Sequence, residues 1–363
     1  MLLDFLMGLA TNEEQLARFK TNREKAIREA KLNARERAAL RSGDLAQLRA
    51  LAAAPSTSNW EVSQSTNMHQ GYQTFHVLKK VSSKTSATFW KPVPPLEFEG
   101  LTVVGTGIRG GLQTTVEARN AISISPKVLY LVADKVTEAW VRGLNPKAES
   151  LYGFYREDRL RGETYRLMVK KILEDLEAVK SLCVVFYGHP GVFVWPTREA
   201  IRRARIKGFK ARMLPGISTE DNLFADLGVD PGMTGLQSYE ATAFLVCGYR
   251  IDPSAGLILW QTGVVGDSGW SPRYKIDPQR MRVLAEHLGR SYGRNHKVVL
   301  YAAAEIPAAT PFVRVIPIRS LPKVKLRSPI TLYVPPARNP RPNRRMLEKL
   351  RWKYESPGGR MVG

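Results

Sequence analysis

The sequence predicts an α/β protein preceded by a small all-helical region. Three observations carry that prediction. From Leu101 onward, short apolar runs alternate with amphipathic stretches, the pattern of strands and helices built into largely parallel sheets. Residues 1–55 instead repeat apolar side chains at near-helical spacing, among them Leu6, Leu9, Leu16, Phe19, Ile27, Leu32, Leu40 and Leu48. Residues 56–99 follow neither pattern: they are rich in Ser, Thr, Gln and Lys and end in KPVPPLEF, as a linker or extended segment would. At 363 residues the chain is long enough for two or three domains.

Each element has a local reason. MLLDFLMGLA is apolar but lacks a basic leading region and carries Asp4, so it reads as a first helix rather than a signal peptide. Thr11 or Asn12 can cap the helix entering EEQLARFK, and Asn33 can cap ARERAALR with Glu36 as its capping-box partner. Gly43 suits the position just past that helix, and Asp44 then caps LAQLRALAAA. Beyond residue 100, LTVVG, KVLYLVA, SLCVVFYG, ARMLPG, AFLVCGY, LILWQTG, KVVLYAAA, VRVIPI and ITLYVPP are strand candidates. Amphipathic stretches around 112–123, 163–180, 195–208, 219–227 and 277–292 are the helices between them. Residues 337–363, with RNPRPNRR and MLEKLRWKY, form a basic tail.

Composition narrows the function classes. The net charge is +22, divided as +3 over residues 1–55, +1 over 56–99, +12 over 100–336 and +6 over 337–363. Outside the tail the excess is diffuse and no RNA-binding aromatic motif accompanies it, which favours a solvated basic surface or an acidic partner over nucleic acid. No run approaches the ~20 apolar residues of a membrane helix. Cys183 and Cys247 both lie in apolar, strand-like runs, so two buried thiols in a reducing, cytoplasmic setting are expected. His69, His76, His287 and His296 show no metal-ligand spacing, so no metal site is expected.

Three loops carry the chemistry. In VVGTGIRGG, Gly105, Gly107 and Gly110 match G-x-G-x-x-G, with Asp134 downstream. That pattern fits either a dinucleotide-binding turn or a tight strand-to-helix turn that needs glycine for backbone reasons alone. FYGHPGVFV sets a turn directly after a buried strand, and RMLPGISTEDNLFADLG places Ser218 and Thr219 at the opening of a helix. A nicotinamide site does not call for that pair. A fourth stretch, SLYGFYREDRLRGETY, sets Tyr152, Tyr155 and Tyr165 among Arg156, Arg159 and Arg161, more phenols and guanidiniums than a packed core or a solvated helix face calls for.

The order VVGTG, VADKVTEAW, FYGHPGVFV, MLPGIST, LYVPP resembles the two-lobed tetrapyrrole-methylase fold of the class III S-adenosylmethionine-dependent methyltransferases, over about residues 100–336. Within it, residues 151–165, FYGHPGVFV and ARMLPGIST resemble the borosin peptide backbone α-N-methyltransferases. Residues 1–55, through GLATNEEQLARFKTNREKAI and RERAALRSGD, resemble the helical docking module of borosin precursors, itself similar to a dioxygenase small subunit. The resemblance implies a domain plan of 1–55 helical module, 56–99 linker or core-peptide segment, 100–336 methyltransferase and 337–363 basic tail. It also implies S-adenosylmethionine as donor, S-adenosylhomocysteine as product, a peptide substrate and a homodimer. Donor contacts would fall on Tyr187, His189, Val192, Phe193, Ser218, Thr219, Gln261, Ala302, Ile330 and Thr331, with His189 a turn residue rather than a base. The catalytic roles would fall on Arg161, Tyr165 and Tyr187, and Tyr152 and Tyr155 would line the peptide channel.

That assignment explains the phenols. An amide nitrogen is a poor nucleophile because its lone pair is delocalised into the carbonyl. Methylating it requires removal of the N–H proton while the carbonyl oxygen gains charge. A phenolate is a stronger base than a carboxylate or a neutral imidazole, and a neighbouring guanidinium favours the ionised form. A guanidinium or phenol aimed at the carbonyl oxygen stabilises charge there, as an oxyanion hole does. Tyr165 is therefore expected as the base and Arg161 as its electrostatic partner, four residues apart on one helix. Arg156, Glu157, Asp158 and Arg159 read as surface charges.

The order of modules departs from the family. Here the module comes first, PGGRMVG supplies no apolar core at the other end, and GYQTFHVLKK occupies the place that follows the module in split precursors. His76, Val77 and Leu78 are the candidate methylated residues, and a separate precursor is the other possibility. Two further readings stay open: methylation of a tetrapyrrole or an RNA ribose on the same fold, and a peptide-binding relative without turnover.

Overall fold

The computed structural model describes residues 1–52, 99–132, 134–271, 276–325 and 330–352. The candidate core segment with His76, Val77 and Leu78, and the tail from 353, lie outside the described residues. The described chain divides into two compact units. One comprises Met1–Phe154, Tyr165–Ser218 and Ala304–Thr310; the other comprises Tyr155–Thr164, Thr219–Ala303 and Pro311 onward.

The first unit opens with five helices: α1 (Leu2–Thr11), α2 (Glu13–Thr21), α3 (Arg23–Glu29), α4 (Ala34–Ser42) and α5 (Leu45–Ala52). Asparagines punctuate them. Asn12 and Asn22 accept the backbone N–H groups of Gln15 and Lys25, and Asn33 with Glu36 closes a capping box. Gly43, in the left-handed conformation, ends α4, and the Asp44 carboxylate accepts the Gln47 N–H at 3.1 Å. Leu2, Leu6, Leu9, Ile27, Leu40 and Leu48 are buried in one apolar cluster that also takes in Val136, Ile306 and Ala308 from later in the chain. The helices thus share their core with the rest of the unit rather than closing one of their own. Arg23 reinforces the join by donating to the Leu40 carbonyl and, at 3.3 Å, to the Ala308 carbonyl.

The same unit continues through β1 (Gly100–Gly105), α6 (Val116–Ile124), β2 (Val128–Leu131), α7 (Lys135–Leu144), β3 (Ala148–Ser150), α8 (Arg161–Val179), β4 (Ser181–Phe186), α9 (Trp195–Ile206) and β5 (Ala211–Met213). Only the first turn of α8, Arg161–Thr164, is grouped with the second unit. The five strands form one parallel sheet in the order β3-β2-β4-β1-β5. β1 and β4 are buried along almost their whole length, as strands covered on both faces must be. The chain leaves β1 toward β2 and leaves β4 toward β5, in opposite directions from neighbouring strands. This is the topological switch point, where open parallel sheets hold ligands beyond the carboxyl ends of their strands.

The second unit holds α10 (Thr219–Leu227), α11 (Pro231–Thr234), β6 (Leu236–Glu240), α12 (Ala241–Val246), β7 (Gly256–Trp260), α13 (Pro278–Tyr292), β8 (Lys297–Ala302), β9 (Phe312–Pro317), β10 (Thr331–Val334) and α14 (Arg344–Leu350). Its sheet runs β6-β7-β10-β8-β9, and only β6 and β7 are parallel. The expectation of largely parallel sheets therefore holds for the first sheet and not for the second. A parallel return needs a long crossover, and the described residues between β9 and β10 supply only a 3₁₀ turn, Ile318–Lys323. Met281, Leu284 and Leu288 of α13 pack on Leu257, Leu259, Leu300 and Leu332 to make this unit's core.

Two strands were not legible as apolar runs. β3 and β6 are edge strands with mixed burial, so neither needs one. AFLVCGY, expected as a strand, is mostly α12: Glu240 caps it through the Ala243 N–H at 2.7 Å, and Ala241 and Phe244 bury a face with period three. Cys247 is consequently exposed at the helix end, correcting the expectation of two buried thiols. Cys183 is fully buried in β4, and burial pushes its thiol up to about 12. Native protein should therefore lose one thiol to iodoacetamide at Cys247 while Cys183 stays unmodified until the protein is denatured, as peptide mapping would read.

Candidate active site

The glycine loop after β1 decides between its two readings. Ile108 and Arg109 both donate their N–H groups to Gln113 Oε1 at 3.0 Å, and Gly111 N–H goes to Thr114 Oγ1 at 3.3 Å. The donors that would cradle a pyrophosphate are spent on the loop's own side chains. The next helix, α6, starts only at Val116 under its own Thr115 cap, and Asp134 caps α7 by accepting from Val136 and Thr137 at 2.9 Å each. The loop is a backbone-driven turn, not a dinucleotide fingerprint.

Its glycines instead fasten the loop after β4. Gly107, at φ +69°, forms an antiparallel bridge with Gly188, whose N–H donates to the Gly107 carbonyl at 2.9 Å. A Cβ on Gly105 would overlap the Gly188 carbonyl oxygen and lie 2.8 Å from Pro190 Cδ. A Cβ on Gly216, in the loop after β5, would lie 2.7 Å from that same oxygen. Three loops thus meet at the switch point through backbone contacts that only glycine permits.

The turn FYGHPGVFV is held firmly. Gly191 N–H donates to His189 Nδ1 at 3.0 Å, Thr197 Oγ1 donates to the Pro190 carbonyl at 2.6 Å, and Arg198 donates to the Gly191 carbonyl at 2.8 Å. His189 therefore braces its own turn. The turn displays two large rings: Tyr187 is 46 % exposed and Phe193 is 47 % exposed, directly after a strand whose residues are buried. Val192 is half-buried between them in sequence, and Ser218, at the end of the β5 loop, is buried. Phe193 sits at φ +56°, a left-handed conformation that costs a bulky residue free energy.

In the second unit, remote positions converge through strand register. β10 runs antiparallel to β7 and β8, so its first residue lies beside the last residues of both, and Thr331 pairs with Tyr301. Gln261 follows β7, Ala302 ends β8, and Ile330 precedes β10; Thr262 N–H donates to the Ile330 carbonyl at 2.9 Å. All four predicted donor contacts of this sheet, Gln261, Ala302, Ile330 and Thr331, therefore occupy one end of it. Gln261, at φ +56°, is the second strained position. Among the described residues only Lys180, Phe193, Gln261 and Arg351 are non-glycine residues at positive φ, and two of them belong to the predicted donor site. Thr219 opens α10, where Glu220 follows; burial, with the Asp221 charge beside it, pushes the Glu220 carboxyl up.

The tyrosine–arginine stretch divides between the units. Tyr152, 36 % exposed, lies in a 3₁₀ turn of the first unit. Tyr155 belongs to the second and stacks on Trp270, with ring centroids 5.3 Å apart and planes at 25°. Trp270 escaped the sequence reading because no local motif surrounds it. Leu160 bridges to Gly269, and Arg161 N–H donates to the Ser268 carbonyl at 3.2 Å, so the segment is pinned to the loop that carries Trp270. Arg161 begins α8 and Tyr165 lies one turn later; both are half-buried. The face of α8 made by Met168, Ile172 and Leu176 is fully buried, which fixes the helix that presents them. Arg156 and Asp158 pair with each other at 2.9 Å on the surface. Among the described residues, no group of His, Cys, Asp and Glu side chains could hold a metal ion.

Fold and loops together are those of the tetrapyrrole methylase fold. Residues 100–249 match the model of that family, Tetrapyrrole (Corrin/Porphyrin) Methylases. The chain is, more narrowly, a homologue of the borosin methyltransferase/precursor proteins. It is 37 % identical over 254 residues to the methyltransferase/cyclic peptide gymnopeptides precursor of Gymnopus fusipes, covering 69 % of this chain and 60 % of that protein. It is 40 % identical over 243 residues to a type I borosin precursor of Coprinopsis marcescibilis, covering 65 % of this chain and 62 % of that protein. It is 36 % identical over 254 residues to the omphalotin A precursor of Omphalotus olearius, covering 69 % and 61 %. The match spans about three fifths of the length of these curated relatives. Among solved structures, a cobalt precorrin-4 methyltransferase of cobalamin biosynthesis aligns at TM-score 0.49 and 14 % identity, over 66 % of this chain and 96 % of that one.

Proposed function

We propose that the protein is an S-adenosylmethionine-dependent methyltransferase that α-N-methylates main-chain amides of a ribosomally made peptide. The observation that carries the proposal is the register that brings Gln261, Ala302, Ile330 and Thr331 to one sheet end, positions widely separated in sequence. The residues fit the donor. In the first unit, Val192 and Phe193 offer apolar and aromatic surface for an adenine and the buried Ser218 a hydroxyl; in the second unit, Ile330 offers apolar surface and the buried Thr331 a hydroxyl. Strain stored at Phe193 and Gln261 is what a preorganised site is expected to show.

When bound, the donor supplies an electrophilic methyl group. The protein's own part is to bind, orient and deprotonate the peptide. In the second unit the stacked Tyr155–Trp270 pair offers a flat apolar surface on which an extended chain can lie, and in the first unit the exposed Tyr152 ring offers another. Tyr165, acting as its phenolate, takes the amide proton and becomes the neutral phenol, Arg161 offsets charge gathering on the carbonyl oxygen, and Tyr187 adds a further phenol. The active form is a homodimer in the cytoplasm, a setting in keeping with a chain whose cysteines form no disulfide among the described residues. No described helix is long and apolar enough to cross a membrane.

The substrate is either the chain's own segment 72–80, with His76, Val77 and Leu78 as acceptors, or a separate precursor recruited through residues 1–55. Intact-mass and fragmentation analysis after incubation with S-adenosylmethionine distinguishes them. Methyl groups on main-chain nitrogens within 72–80 select the first, and methylation of a supplied precursor alone selects the second. Donor binding without methylation of either, or methyl groups on a tetrapyrrole or RNA, overturns the proposal.

A further inference from the structure

Away from the active-site loops, the second unit contains a cavity of about 630 Å³ between α13 and the 3₁₀ turn Ile318–Lys323. Its shape follows from the helix sequence. Ala285 and Gly289, one turn apart, leave a shallow floor, while Arg282, Glu286 and Arg290 stand along one flank at i, i+4 and i+8. Arg294, Arg319 and Lys323 close the other sides. Five cations and one carboxylate therefore face a single groove.

Among the described residues, Glu286 is the one carboxylate lining the groove with these cations. Among the described residues none of the five forms an ion pair, and Arg319 hydrogen-bonds only the Asn295 carboxamide oxygen and, through its backbone, the Arg294 carbonyl. Arginines elsewhere behave differently. Arg280, on the same helix, pairs with Asp277 at 3.3 Å, and Arg202 and Arg203 both hold Glu199 at under 3 Å. Like charges gathered around a concave surface repel one another and raise the local potential, a cost that an anionic ligand relieves. Four of the five are arginines, whose planar forks suit bidentate pairing with carboxylates.

We infer that this groove docks a short acidic peptide segment of a polypeptide partner. Nucleic acid fits less well. No aromatic side chain lines the groove to stack a base. A cleft of this volume, within the roughly 300–1,000 Å³ of small-ligand sites, takes a few residues of an extended chain rather than the convex face of a duplex. The inference stands apart from the methylation reaction, because neither the donor site nor Tyr165 takes part in it.

The test is fluorescence anisotropy of full-length protein with a fluorescein-labelled hexapeptide of alternating Glu and Asp at low and moderate salt. The expected result is saturable binding that weakens with salt and falls at least tenfold in Arg290→Glu/Arg319→Glu. Arg344→Glu/Arg345→Glu on α14, outside the groove, removes the same net charge and should leave binding within twofold. Both groove residues are exposed, and the milder Arg290→Gln/Arg319→Gln pair, with an unchanged circular dichroism spectrum, guards against misfolding. No peptide binding, equal losses in the groove and α14 variants, or displacement by a single-stranded oligonucleotide at lower concentration than by unlabelled peptide would each overturn the inference.

Discussion

Tyr165→Phe is expected to abolish methylation while leaving donor affinity within about twofold of wild type, since general-base catalysis by a positioned side chain is worth roughly 10²–10⁴-fold. The substitution removes one oxygen and keeps the ring. Tyr165 is half-buried at the start of the same helix stripe that buries Met168, Ile172 and Leu176, and phenylalanine keeps the ring that packs there, so the fold has little reason to respond. Calorimetry with S-adenosylhomocysteine reads donor binding, and single-turnover mass spectrometry on a supplied precursor reads the chemical step. Arg161→Lys makes the companion measurement. It keeps the charge but loses the planar fork, and it should lower the rate with less effect than Tyr165→Phe if Arg161 serves the carbonyl oxygen. Turnover of Tyr165→Phe at near wild-type rate would remove the phenol from the mechanism and turn attention to Tyr187.

Where the chain's local chemistry was decisive, it could be read directly. Asn33 and Glu36 announced their capping box, and buried β1, β4 and β7 announced themselves as apolar runs, because a strand covered on both faces has no other composition available. The donor site could be read only as a set of matched positions. Nothing local to Gln261 or Ile330 says that they are neighbours; strand register decides that, and register is a tertiary property. Trp270 is a similar case, since its value lies in the Tyr155 ring that stacks on it from far away in sequence. The glycine motif misled in the other direction. Its spacing fits a phosphate-binding turn, but Gln113 takes the N–H groups that such a turn must leave open, and one side chain is enough to change the meaning of three glycines.

Gly105→Ala tests that reinterpretation with a large and signed effect. If the glycines served only a dinucleotide, a methyl group at the end of β1 would harm binding and leave stability alone. The geometry requires the reverse order of events. The added Cβ would collide with the Gly188 carbonyl oxygen and press on Pro190 Cδ at 2.8 Å, neither of which is the far end of a flexible side chain. Relief must come from moving the loop that carries Tyr187 and Phe193, and overpacking of this kind costs about 3 kcal/mol. For a unit of this size that is a fall in Tm of roughly 6–12 °C, with loss of donor affinity following from the displaced rings. Gly143→Ala supplies the opposite sign. Gly143 lies on the exposed side of α7 at ordinary φ with nothing near its missing Cβ, so alanine there should stabilise by roughly 0.5–1 kcal/mol through helix propensity alone. Differential scanning calorimetry reads both. Two glycine-to-alanine changes in one unit that move Tm in opposite directions would show that Gly105 is fixed by the carbonyl packed against it. A Gly105→Ala protein with unchanged Tm would mean that the three loops do not meet as described.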